Sequence, residues 1–192
     1  MTALDPIACG WFLLLAFVLA GAAQTAWFAS PASRRFAQPL DAGVLLRGRR
    51  LFGDNKTRRG FVVMVPASAA SFALLAMLAG HPATLGLWPL SIPEYALAGA
   101  VAGFGFMAGE LPNSFVKRQL DIAPGDAPRG RLASACHFAL DRVDSGIGML
   151  LALSLLVAVP WRTVAVVLIV GPLIHWTFSV VMFRLGLKPR PA

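Results

Sequence analysis

Residues 7–29 read Ile-Ala-Cys-Gly-Trp-Phe-Leu-Leu-Leu-Ala-Phe-Val-Leu-Ala-Gly-Ala-Ala-Gln-Thr-Ala-Trp-Phe-Ala, without one charged side chain. Each helical residue rises about 1.5 Å, so about 20 such residues cross the hydrocarbon core of a bilayer. Working outward, residues 61–79, 94–111, 143–159 and 162–183 qualify as further spans. Pro160 and Trp161 alone separate the last two, which predicts a tight hairpin. The expectation is an all-α integral membrane protein of about five transmembrane helices. Two long cytoplasmic loops would join them, in a single domain over residues 1–192.

Only 14% of the 192 residues are charged and 57% are hydrophobic. A soluble domain carries about 25% charged residues, so that class is set aside. The formal charge of +8 would suggest nucleic acid on a soluble protein, but here the cations cluster in loops beside apolar runs. Residues 30–60 hold Arg34, Arg35, Arg47, Arg49, Arg50, Lys56, Arg58 and Arg59. Residues 112–142 hold Lys117, Arg118, Arg129, Arg131 and Arg142, and the tail adds Arg184, Lys188 and Arg190. Only Arg162 falls on the other side. Cationic loops resist translocation. Both long loops and the C-terminus are therefore expected in the cytoplasm of a multi-pass cell-membrane protein, with the N-terminus outside. The partner of these charges is the lipid bilayer, not nucleic acid.

Ala20, Ala22 and Ala23 imitate a leader cleavage site, but Asp5 and no basic residue precedes the apolar run, so a retained span is expected. Cys9 and Cys136 fall on opposite sides of the membrane, which excludes a mutual disulfide and predicts two buried thiols. Residues 31–50 mix Phe36, Leu40, Val44, Leu45 and Leu46 with arginines, as in a segment lying among headgroups. Pro39 opposes one continuous helix there. Gly99 with Gly103, and Gly105 with Gly109, are spaced for close helix contact.

Three polar clusters sit at the cytoplasmic ends of spans. The first is Leu51-Phe52-Gly53-Asp54-Asn55-Lys56-Thr57-Arg58-Arg59-Gly60. Its glycines, cations, amide and hydroxyl suit phosphate oxygens, although the Gly-Lys-Thr order of a P-loop is missing. A positive-inside flank would explain the arginines, but not Gly53, Asn55 and Thr57 gathered around Lys56. The second is Gly109-Glu110-Leu111-Pro112-Asn113-Ser114-Phe115-Val116-Lys117-Arg118. If the helix persists past Pro112, then Glu110, Asn113, Ser114 and Lys117 share a face; otherwise Pro112 breaks it. A carboxylate at that depth needs a metal, a base or water, and an arginine partner for Glu110 is the plain alternative. The third is Asp141-Arg142-Val143-Asp144-Ser145. Asp141 and Asp144 lie three apart, so their carboxylates point one way and can share Mg²⁺. Acids capping a helix N-terminus are the alternative. Together the clusters suit a polyphosphate with Mg²⁺ beside a lipid-facing scaffold.

At these residues the chain resembles a known family. Asn55-Lys56-Thr57 with Arg59-Gly60 resembles the Asn-Lys-Thr-Trp-Arg-Gly element of CDP-archaeol synthases. Ser114-Phe115-Val116-Lys117-Arg118 resembles the Ser-x-x-Lys-Arg that opens the signature of phosphatidate cytidylyltransferases, and Asp141-Arg142-Val143-Asp144 its closing Asp-Arg-x-Asp. Size and span count are also similar to CDP-archaeol synthases. Arg58 replaces the tryptophan, and Ala123-Pro124 replaces the Lys-Asp pair of the larger enzymes. Their Pro-Gly-His-Gly-Gly run is missing, and His137 stands four residues before Asp141 rather than five. These departures place the chain nearer the archaeol-type branch.

The resemblance implies a Mg²⁺-dependent cytidylyltransferase that joins CTP to a phosphatidate-like or ether-lipid phosphate, giving a CDP-lipid and pyrophosphate. Asp141 and Asp144 would hold the metal with help from Glu110, and Lys56 and Lys117 would hold phosphates. Asn55, Thr57, Arg59, Asn113, Ser114 and Arg118 are candidate nucleotide or lipid-phosphate contacts. The rival reading is a small transporter or lipid-binding membrane protein without catalysis. Of the residues a carrier would need at mid-membrane, only His175, beside Gly171-Pro172, lies deep in a span.

Overall fold

The computed structural model describes residues 3–123 and 130–187. Arg129, Pro124 and the tail residues Lys188 and Arg190 lie outside them. Among the described residues are α1 (Pro6–Ala29), α2 (Arg58–Ala79), α3 (Ile92–Gln119), α4 (Arg131–Ser154) and α5 (Trp161–Arg184). A 3-10 turn at Pro31–Phe36 and an antiparallel hairpin of β1 (Leu45–Leu46) and β2 (Arg49–Arg50) fill the connection from α1 to α2. Each helix packs on the next and α5 returns to α1, so the helices close a ring.

By length and composition α1, α2 and α5 can each cross a membrane. The other two helices differ from the expected bounds. Residues 94–111 extend to Ile92–Gln119, and residues 143–159 are replaced by Arg131–Ser154. The long loop expected over residues 112–142 is therefore mostly helix, and the last connection, 155–160, is longer than expected. An apolar run marks where a helix meets hydrocarbon, not where its backbone hydrogen bonding stops. Pro112 removes one donor, normally a cost of about 3 kcal/mol, yet α3 runs through it. Packed neighbours make such a loss tolerable in membrane helices.

The apolar core gathers where α1 and α3 begin. Phe12 meets Phe72 edge-on at 5.2 Å between centroids. Tyr95 donates its hydroxyl to Trp88 O at 2.7 Å, and Trp88 Nε1 donates to Ala158 O at 2.8 Å. Thr163 Oγ1 donates to Pro6 O at 2.8 Å, tying α5 to α1. Cys9 is buried here, but Cys136 is exposed, contrary to expectation, on the part of α4 that precedes the expected span. The outward faces carry apolar side chains such as Leu78, Leu155 and Ile169, at 74%, 81% and 70% exposure. Hydrocarbon, not water, suits that surface.

The small residues of α3 set its distance from both neighbours. A Cβ on Gly99 would lie 2.5 Å from Ser68 O, and one on Gly103 2.8 Å from Met64 O, so these two face α2. A Cβ on Gly109 would lie 2.5 Å from Asp144 O and 2.9 Å from Gly148 Cα, so Gly105 and Gly109 face α4. The backbones of α3 and α4 therefore nearly touch beside Glu110 and one turn from Asn113.

Candidate active site

Lys56 is presented by a short tight segment. Residues 38–40 run antiparallel to 56–58: Leu40 N donates to Lys56 O at 2.8 Å, and Arg58 N to Gln38 O at 3.0 Å. Lys56 N donates to Gly53 O at 3.3 Å, and Gly53 has φ +89°, a backbone state that favours glycine. The lysine so placed reaches across to Glu110 on α3 and donates to its Oε2. Burial opposes the ammonium charge, but Glu110, with Asp144 and Asp141 farther off, outweighs it and lifts the Lys56 pKa above its ordinary value. Lys56 is thus a fixed cation.

From Glu110 the polar contacts continue without a break. Ser145 Oγ donates to Glu110 Oε1 at 2.8 Å, and Ser145 N donates to Asp144 Oδ1 at 2.7 Å. Asn113 Nδ2 donates to Asp144 Oδ2 at 2.9 Å and to Asp141 Oδ1 at 2.6 Å. Lys117 Nζ donates to both oxygens of Asp141, at 2.6 Å for Oδ2. The order is Lys56, Glu110, Ser145, Asp144, Asn113, Asp141, Lys117. Because α3 stays helical through Pro112, Glu110, Asn113 and Lys117 occupy one face and meet α4 together.

The placement of the aspartates bears on the capping reading of that pair. Asp141 and Asp144 lie more than two turns inside α4, which begins at Arg131. Helix-terminus charge effects fade within the first turn, so capping does not account for them. Three carboxylates meet two ammonium groups, and Asp144, 8% exposed, contacts only neutral donors among these residues. Asn113 Oδ1 is a buried acceptor with no partner among the described residues.

The CarS-like family model, described as CDP-archaeol synthase, matches residues 9–191. The chain belongs to the CDP-archaeol synthase family. A CDP-archaeol synthase of Halorubrum lacusprofundi is 33% identical over 162 residues, covering 80% of this chain and 83% of that one. Another, from Aeropyrum pernix, is 33% identical over 166 residues, covering 85% and 83%. A solved structure described as an intramembrane enzyme for archaeal membrane lipid biosynthesis superposes with a TM-score of 0.59 at 27% identity, covering 85% of this chain and 90% of that chain. This member of the CDP-archaeol synthase family is thus a mostly helical, multi-pass membrane protein.

Of the residues singled out in this CDP-archaeol synthase relative, Lys56, Glu110, Asn113, Lys117, Asp141 and Asp144 come together. Asn55 is exposed next to Lys56, and Thr57 is the N-cap of α2 without a capping side-chain bond. Arg59 lies apart from the chain of contacts, 4.4 Å over the Phe28 ring, and its buried Nε has no hydrogen-bond partner among the described residues. Ser114 is buried on α3, while Arg118 turns to Ile122 O. Ser145 carried no role in the sequence reading, although it ends the Asp-Arg-x-Asp-Ser run; only the phase of α4 against α3 shows its hydroxyl bridging two acids. Asp41 was missed altogether, one of two acids in a basic loop. His175 lies on α5.

Among the described residues no group of three or more His, Cys, Asp or Glu is placed to hold a metal ion. Glu110 is committed to Lys56 and Ser145 and reaches the aspartates only through Ser145. Asp141, Asp144 and Asn113 Oδ1, which has no partner among the described residues, are all hard oxygen, the kind Mg²⁺ takes while keeping several waters, and Asp141 would take it in exchange for part of its contact with Lys117. The residues therefore fit that ion.

Proposed function

We propose that this chain transfers the cytidylyl group of CTP to the phosphate of a phosphatidate-like or ether lipid, giving a CDP-lipid and pyrophosphate. The observation that carries the reading is the unbroken run from Lys56 to Lys117, at one end of a bundle with an apolar outer surface. Membership of the CDP-archaeol synthase family supports the same reaction.

A lipid phosphomonoester is already anionic near neutral pH, its second pKa being about 6, so it can attack without a dedicated base. One of its oxygens bonds to the α-phosphorus of CTP. The bond from that phosphorus to the α–β bridging oxygen breaks, and the oxygen leaves with pyrophosphate. The work of the site is to hold two anions in line and to stabilise the departing charge. Lys56 and Lys117 do so by exchanging part of their contact with Glu110 and Asp141 for phosphate oxygens. Asp141, Asp144 and Asn113 would hold Mg²⁺, with Glu110 one hydroxyl away. When bound, that ion supplies charge neutralisation on the phosphates. Asn55, Thr57 and Ser114 supply amide and hydroxyl contacts, and Arg59 and Arg118 further positive charge.

The same reading has all five helices crossing the bilayer as one membrane-embedded unit, with the polar run in the cytoplasmic half and the N-terminus outside. Glycine-mediated contact joins α3 to α4 within the ring, and Asn113 and Asp144 are buried between helices and do not face lipid. A transporter would need its polar groups near mid-membrane. The test is incubation of the purified protein with labelled CTP, Mg²⁺ and a panel of lipid phosphomonoesters. Label should enter an extractable lipid. Intact CTP with every lipid would overturn the reading.

A further inference from the structure

Asp41 lies outside the run of contacts just described, yet it is among the most heavily bonded side chains in the structure. Its carboxylate is fully buried and accepts from Arg50 Nη2 at 2.5 Å and Arg50 Nε at 3.2 Å. It also accepts from the backbone of Phe52 and Gly53, each at 3.0 Å, and of Gly43 at 3.2 Å. Satisfying a buried carboxylate with five donors costs the chain much local freedom, which surface loops seldom give up.

The hydrogen bonds form a closed circuit. Asp41 holds Gly53 N, Gly53 O accepts from Lys56 N, and Lys56 O accepts from Leu40 N, the neighbour of Asp41. Lys56 is thereby fixed through both its backbone groups. The adjacent arginines of β2 point opposite ways, as alternate strand residues do. Arg50 turns in to Asp41 and also meets Asp54 at 2.8 Å. Arg49 turns out to Gln119 O and to Asp121 at 2.5 Å, and Gln119 Nε2 donates back to Arg50 O at 3.3 Å. The circuit is thus anchored to the end of α3, the helix that carries Glu110.

We infer that Asp41 is a positioning residue: paired with Arg50, it holds residues 51–56 in the one form that delivers the Lys56 ammonium to Glu110 and to a substrate phosphate. The last part rests on the proposed phosphate-binding role of Lys56. A two-stranded hairpin alone is marginal in water, so the buried ion pair is what gives this segment a single shape. The electrostatics agree, since Arg50 above all, against burial, holds the Asp41 carboxyl far below the usual carboxylate range.

The experiment labels the full-length protein in lipid nanodiscs with an amine-reactive reagent and follows Lys56 and Lys117 separately by mass spectrometry. In Asp41→Asn, labelling of Lys56 should rise at least about tenfold, as expected when one charge-assisted hydrogen bond is lost, with Lys117 unchanged. The kcat/KM for CTP should fall in step, while the KM for the lipid phosphate holds. Arg50→Gln, which leaves the backbone donors to Asp41 in place, should reproduce the pattern in a smaller degree, and Arg50→Lys should restore part of it. Unchanged Lys56 labelling in both Asp41→Asn and Arg50→Gln would overturn the inference. So would an equal rise at Lys117, because that reports general loosening. Raised Lys56 labelling with undiminished CTP turnover would uphold the positioning and overturn the phosphate-binding role of Lys56.

Discussion

Asn113 Nδ2 on α3 lies 2.6 Å from Asp141 Oδ1 on α4. The same nitrogen serves Asp144 at 2.9 Å, so one neutral amide orients both carboxylates without cancelling their charge. Asn113→Asp puts a third carboxylate there and removes both donors. Losing two hydrogen bonds to charged groups, each worth about 1.5–3 kcal/mol, should lower CDP-lipid formation by about 10² or more. The variant should still insert and pack, because the helix contact runs through Gly105 and Gly109. Near-normal turnover would show that the amide does not organise the pair.

Glycine placement offers a test of the approach between α3 and α4. Gly103→Ala and Gly109→Ala both force a Cβ into a neighbouring backbone oxygen, that of Met64 on α2 and that of Asp144 on α4. Overpacking of this kind costs about 1–3 kcal/mol, so both variants should melt lower in detergent. Activity at a temperature where both remain folded should fall further in Gly109→Ala, which displaces the backbone of Asp144 itself. Equal activity losses would mean that this approach does not set the site.

The basic loop holds cations of two kinds, and charge alone cannot tell them apart. Arg35 is exposed, whereas Lys56 is locked on Glu110 with 19% of its side chain exposed. Arg35→Gln should leave CTP-dependent synthesis almost unchanged at matched membrane abundance. Lys56→Gln should lower it by about ten- to a hundred-fold, the worth of a charge-assisted hydrogen bond. Equal activities would remove Lys56 from the site.

The pH dependence of stability should carry the signature of Asp41. Arg50, against burial, and the amides of Phe52, Gly53 and Gly43 hold its carboxyl well below the usual carboxylate range. A depressed folded pKa means stabilisation that is complete above the unfolded value, about 3.9, and is lost as pH falls through the folded one. The gap in melting temperature between the native protein and Asp41→Asn should therefore stay level from about pH 8 to about pH 5. It should narrow only below about pH 4. A gap that narrowed as pH rose would have the wrong sign.

How much of this was legible in the sequence depends on what each feature rests on. The runs that became α1, α2 and α5 were legible because length and hydropathy decide them. The bounds of α3 and α4 were not, since Asn113 to Gln119 is helical without being apolar, and Arg131 to Asp141 is helical but too short and too bounded by charge to read as a span. The facing of Glu110, Asn113 and Lys117 was legible as a helical period, conditional on Pro112. Their partners were not: Lys56 and Glu110 are 54 positions apart, and only the docking of the residue 38–58 segment brings them together. Asp41 gave no signal, because its role depends on backbone donors that composition cannot display.

The central claim is that the run from Lys56 to Lys117 carries cytidylyl transfer, and Asp144 is its most exacting member. Asp144→Asn keeps shape and most hydrogen bonding while deleting the one carboxylate of that run that, among the described residues, meets only neutral donors. The deciding measurement is paired turnover of α-labelled and γ-labelled CTP, with a lipid phosphomonoester and Mg²⁺, by native protein and by Asp144→Asn at matched folded amounts. The account predicts that native protein sends the α label into lipid and the γ label into pyrophosphate in equal amounts. The variant should do both about 10² or more times slower, as expected when a metal-borne charge stabiliser is lost. Native-like turnover by Asp144→Asn at limiting Mg²⁺, or γ label appearing in lipid, would contradict it.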